Sequence, residues 1–328
     1  MADVTLPSRD AGESRGQLFL ITALAIAVLL VSLALILNTA IYTENIATRT
    51  TDTQLDEATS AQRVAVDAGG AILDAENRNG GSAGDIESRF ESAMANWSTT
   101  SATLSATDGF STRVEYNGAS TLGLRIHQDD ESRDFTDNSS DERWEVLEDG
   151  QVRAIRFNVS RTSLATSPSD AFSVDIDGES DDINVTMYDD GTNVVVTVEN
   201  ETGTVGSCVV EPTNGDTLVV DIGDKTVGTQ YCAPFETIHD EIDGEVDIWF
   251  NNADNASGTY EMYTTDDDDG FDDIGDLFDI FDGAEYADTG SGYWPVQQEA
   301  VYDANVTFVF QSSGTTVKKE VRIAPGEL

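Results

Sequence analysis

Positive charge is what this chain of 328 residues has least of. Only 17 lysines and arginines stand against 62 aspartates and glutamates, giving a net charge of −45, and just three of the 17 are lysines. That deficit argues against a nucleic-acid partner, which needs a basic footprint. Two histidines, His127 and His239, are too few and too far apart in sequence for a histidine-rich zinc site. No P-loop or dinucleotide fingerprint occurs, and no serine-nucleophile elbow is expected. Carboxylates are so numerous that no pair stands out as acid and base. The expectation is a protein that is not an enzyme and holds no cofactor. A compact chain of this charge repels itself in dilute buffer. Molar salt, with a Debye length of about 3 Å, removes most of that repulsion. The acidic residues run along the whole chain rather than forming one patch, so they point to a hypersaline setting and not to one cationic partner.

The stretch Leu18 to Leu37 lacks charge, proline and glycine, and its only polar side chains are Thr22 and Ser32. At about 1.5 Å per residue it measures roughly 30 Å, the hydrocarbon thickness of a bilayer. Fourteen of its residues are Leu, Ile, Val or Phe, worth on the order of 4–8 kcal/mol of insertion free energy. A transmembrane helix in membrane lipid is expected, and the run exceeds the 7–15 apolar residues of a cleaved secretory signal. Residues 1–16 form a short tail carrying Arg9 and Arg15, residues 17–42 the membrane helix. The expected orientation puts the N-terminus in the cytoplasm and the remainder outside, single-pass in the cell membrane.

Two features fit an exported chain. Cys208 and Cys232 are able to form one bridge in an oxidising compartment. Asn-x-Ser/Thr acceptors begin at Asn96, Asn138, Asn158, Asn184, Asn200, Asn255 and Asn305. Asn96, beside Trp97 on an expected core stripe, is the weakest; the other six are the candidate glycosylation sites.

Ser14-Arg15-Gly16-Gln17-Leu18 sets a basic residue and a glycine directly before the apolar run. It resembles the leader of archaeal type IV pilin-like proteins, and the resemblance implies cleavage between Gly16 and Gln17. The fifth residue after that bond is Ile21, where many pilins carry glutamate. The stretch GQLFLITALAIAV together with Leu37–Arg49 resembles a family of uncharacterised single-pass proteins from halophilic archaea, over about the first 50 residues. That family brings no activity with it, but implies an envelope setting and other pilin-like envelope proteins, or further copies, as partners through the N-terminal helix.

Beyond the membrane, residues 43–98 read as a helical stalk and a short second helix. Leu55, Ala58, Ala61, Ala65, Ala68 and Ile72 step by three or four onto one face. That narrow stripe fits either another copy or the side resting on the protein's own head. Asn79–Gly84 breaks the helix, Asp85 offers an N-cap, and Ile86, Phe90, Met94 and Trp97 make a core stripe. After Ser101 the period becomes alternating. Turn signals recur at Asn117-Gly118, Asp149-Gly150, Asp190-Gly191, Asn214-Gly215 and Ser313-Gly314. The expected fold class is α+β: a transmembrane helix, a helical stalk, then an antiparallel β-sandwich-like head over 102–328, with a break near Thr166–Ser169.

An acidic insert interrupts the head at 264–292, with nine aspartates from Asp266 to Asp282. Asp267, Asp269, Asp272, Asp273 and Asp276 offer oxygen ligands for Ca2+. Against an EF-hand loop, however, the first place is Thr265 and the last is the shorter Asp276, so a hydrated acidic loop accounts for the same residues. Two functions remain: a structural or interaction protein of the cell surface, as a pilin-like subunit or accessory factor, and a monomeric anchored module whose insert binds a cation or ligand.

Overall fold

The computed structural model describes residues 54–178, 181–211, 217–242, 244–266, 286–287 and 291–327, together with Ile26, Leu30, Leu33 and Ala34. The expected membrane helix, the tail, the Gly16–Gln17 bond and the five candidate calcium ligands lie outside them, apart from those four positions. Among the described residues no helix is long and apolar enough to cross a membrane.

From residue 54 onward the chain begins with two helices, α1 over 54–78 and α2 at Ala83–Ser105. The strands are β1 Ser111–Gln128, β2 Trp144–Ser160, β3 Phe172–Gly178, β4 Asp182–Asp189, β5 Val194–Asn200, β6 Gly203–Val210, β7 Thr217–Asp221, β8 Thr226–Val227 and β9 Gln230–Tyr231. After the short α3, Phe235–Glu241, come β10 Val246–Asn251, β11 Gly258–Asp266, β12 Val296–Gln311 and β13 Thr316–Ile323. The pairing is antiparallel and runs β13-β12-β1-β11-β2-β10-β3-β4-β5-β6, with β7 also on β2 and β8-β9 continuing from it. The chain is thus largely antiparallel sheet with a few helices.

β2 decides the shape. Trp144 and Phe157 are thirteen residues apart, roughly 43 Å along a straight strand. Yet both rings lie against Phe250, at 5.5 and 5.6 Å between centroids. The strand therefore doubles over. Asp149 and Ala154 take positive φ between the two ends, at 47° and 55°. Its first half pairs with β10 and its second half with β11 and β7, so β2 belongs to two facing layers. Phe135, Phe157, Phe172, Phe250 and Tyr260 fill the space between them. Asp149-Gly150 is accordingly a bulge inside a strand, not a hairpin. Asn117-Gly118 is the same inside β1, where the register shifts between Tyr116 and Ser120. Asp190-Gly191 and Ser313-Gly314 do sit between paired strands, whereas Asn214-Gly215 falls outside the described residues.

Over 54–78 the helix does not project as a stalk. Ala58, Ala65 and Leu73 are buried with Phe308, Phe310 and Ile323 in a second core on the β12–β13 side. The alanine stripe thus rests on the protein's own head. Gly69 explains how closely: a Cβ there would lie 2.3 Å from Ile323 Cδ1. A mid-helix glycine costs about 1 kcal/mol, and here it lets the helix approach the strand. α2 is capped by Ser82, whose hydroxyl accepts from Asp85 N, not by Asp85. It runs past its expected end to Ser105, and in that stretch Thr99, Thr100 and Thr103 donate to the carbonyls four residues back.

β11 and β12 flank β1 and keep it from β2, so the break near Thr166–Ser169 does not separate two independent parts. A chain ending at residue 168 should lack a cooperative thermal transition by circular dichroism in molar salt, where the full chain shows one. A cooperative melt of the fragment would refute this.

Candidate functional site

The end of α1 meets the sheet through charge. Tyr260 and Met262 face the aromatic core, so Glu261 between them turns to the opposite face of β11. There it is 8 % exposed and held by three arginines. Arg78 of α1 donates from Nε to both oxygens, at 2.9 and 3.0 Å. Arg125 of β1 donates from Nη2 at 2.9 Å and from Nε at 3.2 Å. Arg156 of β2 stands 3.6 Å away and donates mainly to Asp221 at 2.6 Å. Burial would raise the Glu261 carboxyl, but the hydrogen bonds and charges of Arg78 and Arg125 outweigh it and bring the carboxyl below its usual range. The hydrogen bond to Glu261 likewise raises Arg78.

A second lock lies one turn back along α1. Arg153 of β2 is fully buried and donates to Asp74 Oδ1 at 2.9 Å, to the backbone carbonyls of Val301 and Pro325, and to that of Tyr302. Its guanidinium lies 4.3 Å from the Tyr263 ring. Asn77, also fully buried, donates to Val301 O and accepts from Val301 N, both at 2.9 Å, as a strand residue would. Helix, sheet and C-terminal segment are thereby fastened at one place.

Beside these locks are a cleft of about 580 Å³, whose lining includes Asp74, Arg78, Arg156, Asp224 and Arg322, and a smaller one of about 210 Å³ at Arg78, Arg125, Asn158 and Glu261. The carboxylates here face guanidinium groups at ion-pair distance, which suits them to hold α1 down rather than to move protons. An apolar groove of about 430 Å³ runs between α1 and α2, flanked by Val64 and Leu104 and reaching Trp97.

Elsewhere charge is left opposed. Asp247, Asp177 and Asp182 stand opposite one another across β10, β3 and β4. Burial, then Asp182, Asp175 and Asp247, raises Asp177 above the ordinary aspartate range. Like charges facing across strands are destabilising unless screened.

Of the residues singled out in the sequence, Cys208 and Cys232 are joined by a disulfide that ties β6 to the segment after β9. Asn158, Asn184 and Asn305 lie inside β2, β4 and β12; Asn138 lies in a loop, Asn200 at the end of β5 and Asn255 at the end of a short 3-10 helix, Ala253–Asn255. His127 is buried, with Nδ1 3.0 Å from Asp129, and His239 lies half-buried on α3, its Nε2 3.2 Å from Ile222 O. Among the described residues no group of three or more His, Cys, Asp or Glu is arranged to hold a metal. One motif escapes the sequence reading: Gly80-Gly81-Ser82-Ala83-Gly84 has the G-x-S-x-G spacing of a nucleophile elbow. It joins two helices rather than a strand to a helix, and the Ser82 hydroxyl is occupied by Asp85. The residues that build the locks also went unmarked. Their signal is arginine at positions of an apolar alternation, as in Arg153-Ala154-Ile155-Arg156-Phe157.

Residues 12–168, just under half of the chain, match the model of a family of unknown function, DUF7261. No curated protein and no solved structure matches. The matched stretch contains Asp74, Asn77, Arg78, Arg125, Arg153 and Arg156, but Glu261, Val301 and Pro325 lie beyond it.

Glu261→Gln should cost about 2–3 kcal/mol at neutral pH in molar salt, somewhat less than breaking a fully buried pair because Arg78 reaches water. The lowered carboxyl adds stability above the ordinary glutamate range and loses it as pH falls through the lowered value. Urea midpoints should therefore fall more steeply on acidification for the natural chain than for E261Q. Parallel pH curves would contradict the assignment.

Proposed function

We propose that this chain is a non-enzymatic envelope protein, anchored by its N-terminal apolar segment and presenting a salt-adapted β-rich head outside the cell. The observation that carries the reading is the uncharged run Leu18–Leu37, long enough to span a bilayer. Within it, Ile26, Leu30, Leu33 and Ala34 are helical and exposed, with Leu30 at 60 %. The locks at Arg78, Arg125, Arg153 and Glu261 support a mechanical role, since they couple the helix that follows this segment to the sheet. The row of like charges at Asp177 supports a setting of concentrated salt.

Assembly belongs to the segment before residue 54, because the alanine stripe of α1 is occupied by the head. The resemblance of Ser14–Leu18 to pilin-like leaders favours a pilin-like subunit or accessory factor, with the mature chain starting at Gln17. Cell fractionation tests the anchor. The full chain should stay with membranes through a high-salt wash, and protease added to intact cells should digest the head. Recovery of an intact chain from the soluble cytosolic fraction would overturn the proposal.

A further inference from the structure

Seven asparagines have the acceptor pattern, but the fold treats them unequally. In the strand sequons the middle residue is buried, as with Val159, Val185 and Val306, and the backbone is paired on the ladder. Asn184 and Asn200 spend their Nδ2 on Asp175 and Glu241, and Asn255 donates to Asp170 O at 2.9 Å. Asn96 lies on α2, and its partner hydroxyl, that of Ser98, is buried and accepts from Val114 N at 2.8 Å. Only Asn138-Ser139-Ser140 has all three residues exposed. It sits in the loop between β1 and β2 on a turn fastened from below. The buried Asp137 accepts from Asp141 N through its carboxylate at 2.7 Å, its backbone carbonyl accepts from Arg133 and from Ser140 N, and Ser140 takes φ 70°. Asn138 makes no side-chain hydrogen bond among the described residues.

An N-glycosyltransferase must hold the whole tripeptide away from other backbone and reach both the Asn amide and the hydroxyl two residues on. We propose that Asn138 is the asparagine of the folded head that accepts a glycan. The proposal rests on the exported reading above and adds the site. Nδ2 of Asn138 bonds to the anomeric carbon of a polyprenyl-phosphate-linked sugar and gives up one of its two protons, which passes to solvent. The anomeric carbon–oxygen bond breaks, and its electron pair leaves on the phosphate of the lipid carrier. Oxidation states do not change.

Glycopeptide mass spectrometry of the full-length chain recovered from its own cells tests this. The peptide containing Asn138 should carry sugar, those of Asn158, Asn184 and Asn305 should be bare, and Asn138→Gln should lower the intact mass by one whole glycan. A bare Asn138, or sugar on the strand asparagines with Asn138 free, would overturn the proposal. Protease treatment of intact cells separates the failures. If the head is digested and Asn138 is bare, only the site is wrong; if the head is protected, the exported reading falls and takes the site with it.

Discussion

A carboxylate shared by arginines from three directions is the interaction on which the molecule's construction depends. Glu261 receives Arg78 from α1, Arg125 from β1 and, at longer range, Arg156 from β2. Helix α1 is thereby joined to the middle of the sheet. Arg153, buried without solvent, repeats the joint one turn away through Asp74 and the carbonyls of β12. Removing one partner from such a pair leaves an uncompensated charge inside the protein, which is why these joints are costly to break.

The scarcity of cations gives that arrangement its meaning. Of 14 arginines, four converge on Glu261 and Asp74, where partial burial protects each pair from salt. Two of the three lysines, Lys318 and Lys319, lie on β13, at one end of the strand order, where charge discourages pairing with another chain. Among the described residues, Asp247, Asp177 and Asp182 instead face one another across β10, β3 and β4. The pairs at Glu261 and Asp74 are at least partly shielded from solvent, whereas Asp177 meets like charge across its strands.

Much of the architecture could be read from the residues. The stripe of Ile86, Phe90 and Met94 is core, and the β-rich half is antiparallel. Two Asx-Gly pairs misled because the same φ > 0 preference serves a bulge as well as a hairpin, and only the ladder tells them apart. The doubling of β2 was invisible, since it depends on Asp149 and Ala154 being held in the left-handed region by strands distant in sequence. The locks were hidden for a similar reason. Arg78 and Glu261 are 183 positions apart, and among 62 acidic residues nothing local marks one carboxylate as buried.

Amide hydrogen exchange along α1 tests the central claim most directly. If buried ion pairs fix this helix to the sheet, amides over 70–78 should exchange only with the global opening that releases β1 and β12, at neutral pH and in molar salt. Exchange of those amides well ahead of the two strands would mean that the helix detaches on its own, and the account of a helix fastened to the sheet by buried ion pairs would be wrong.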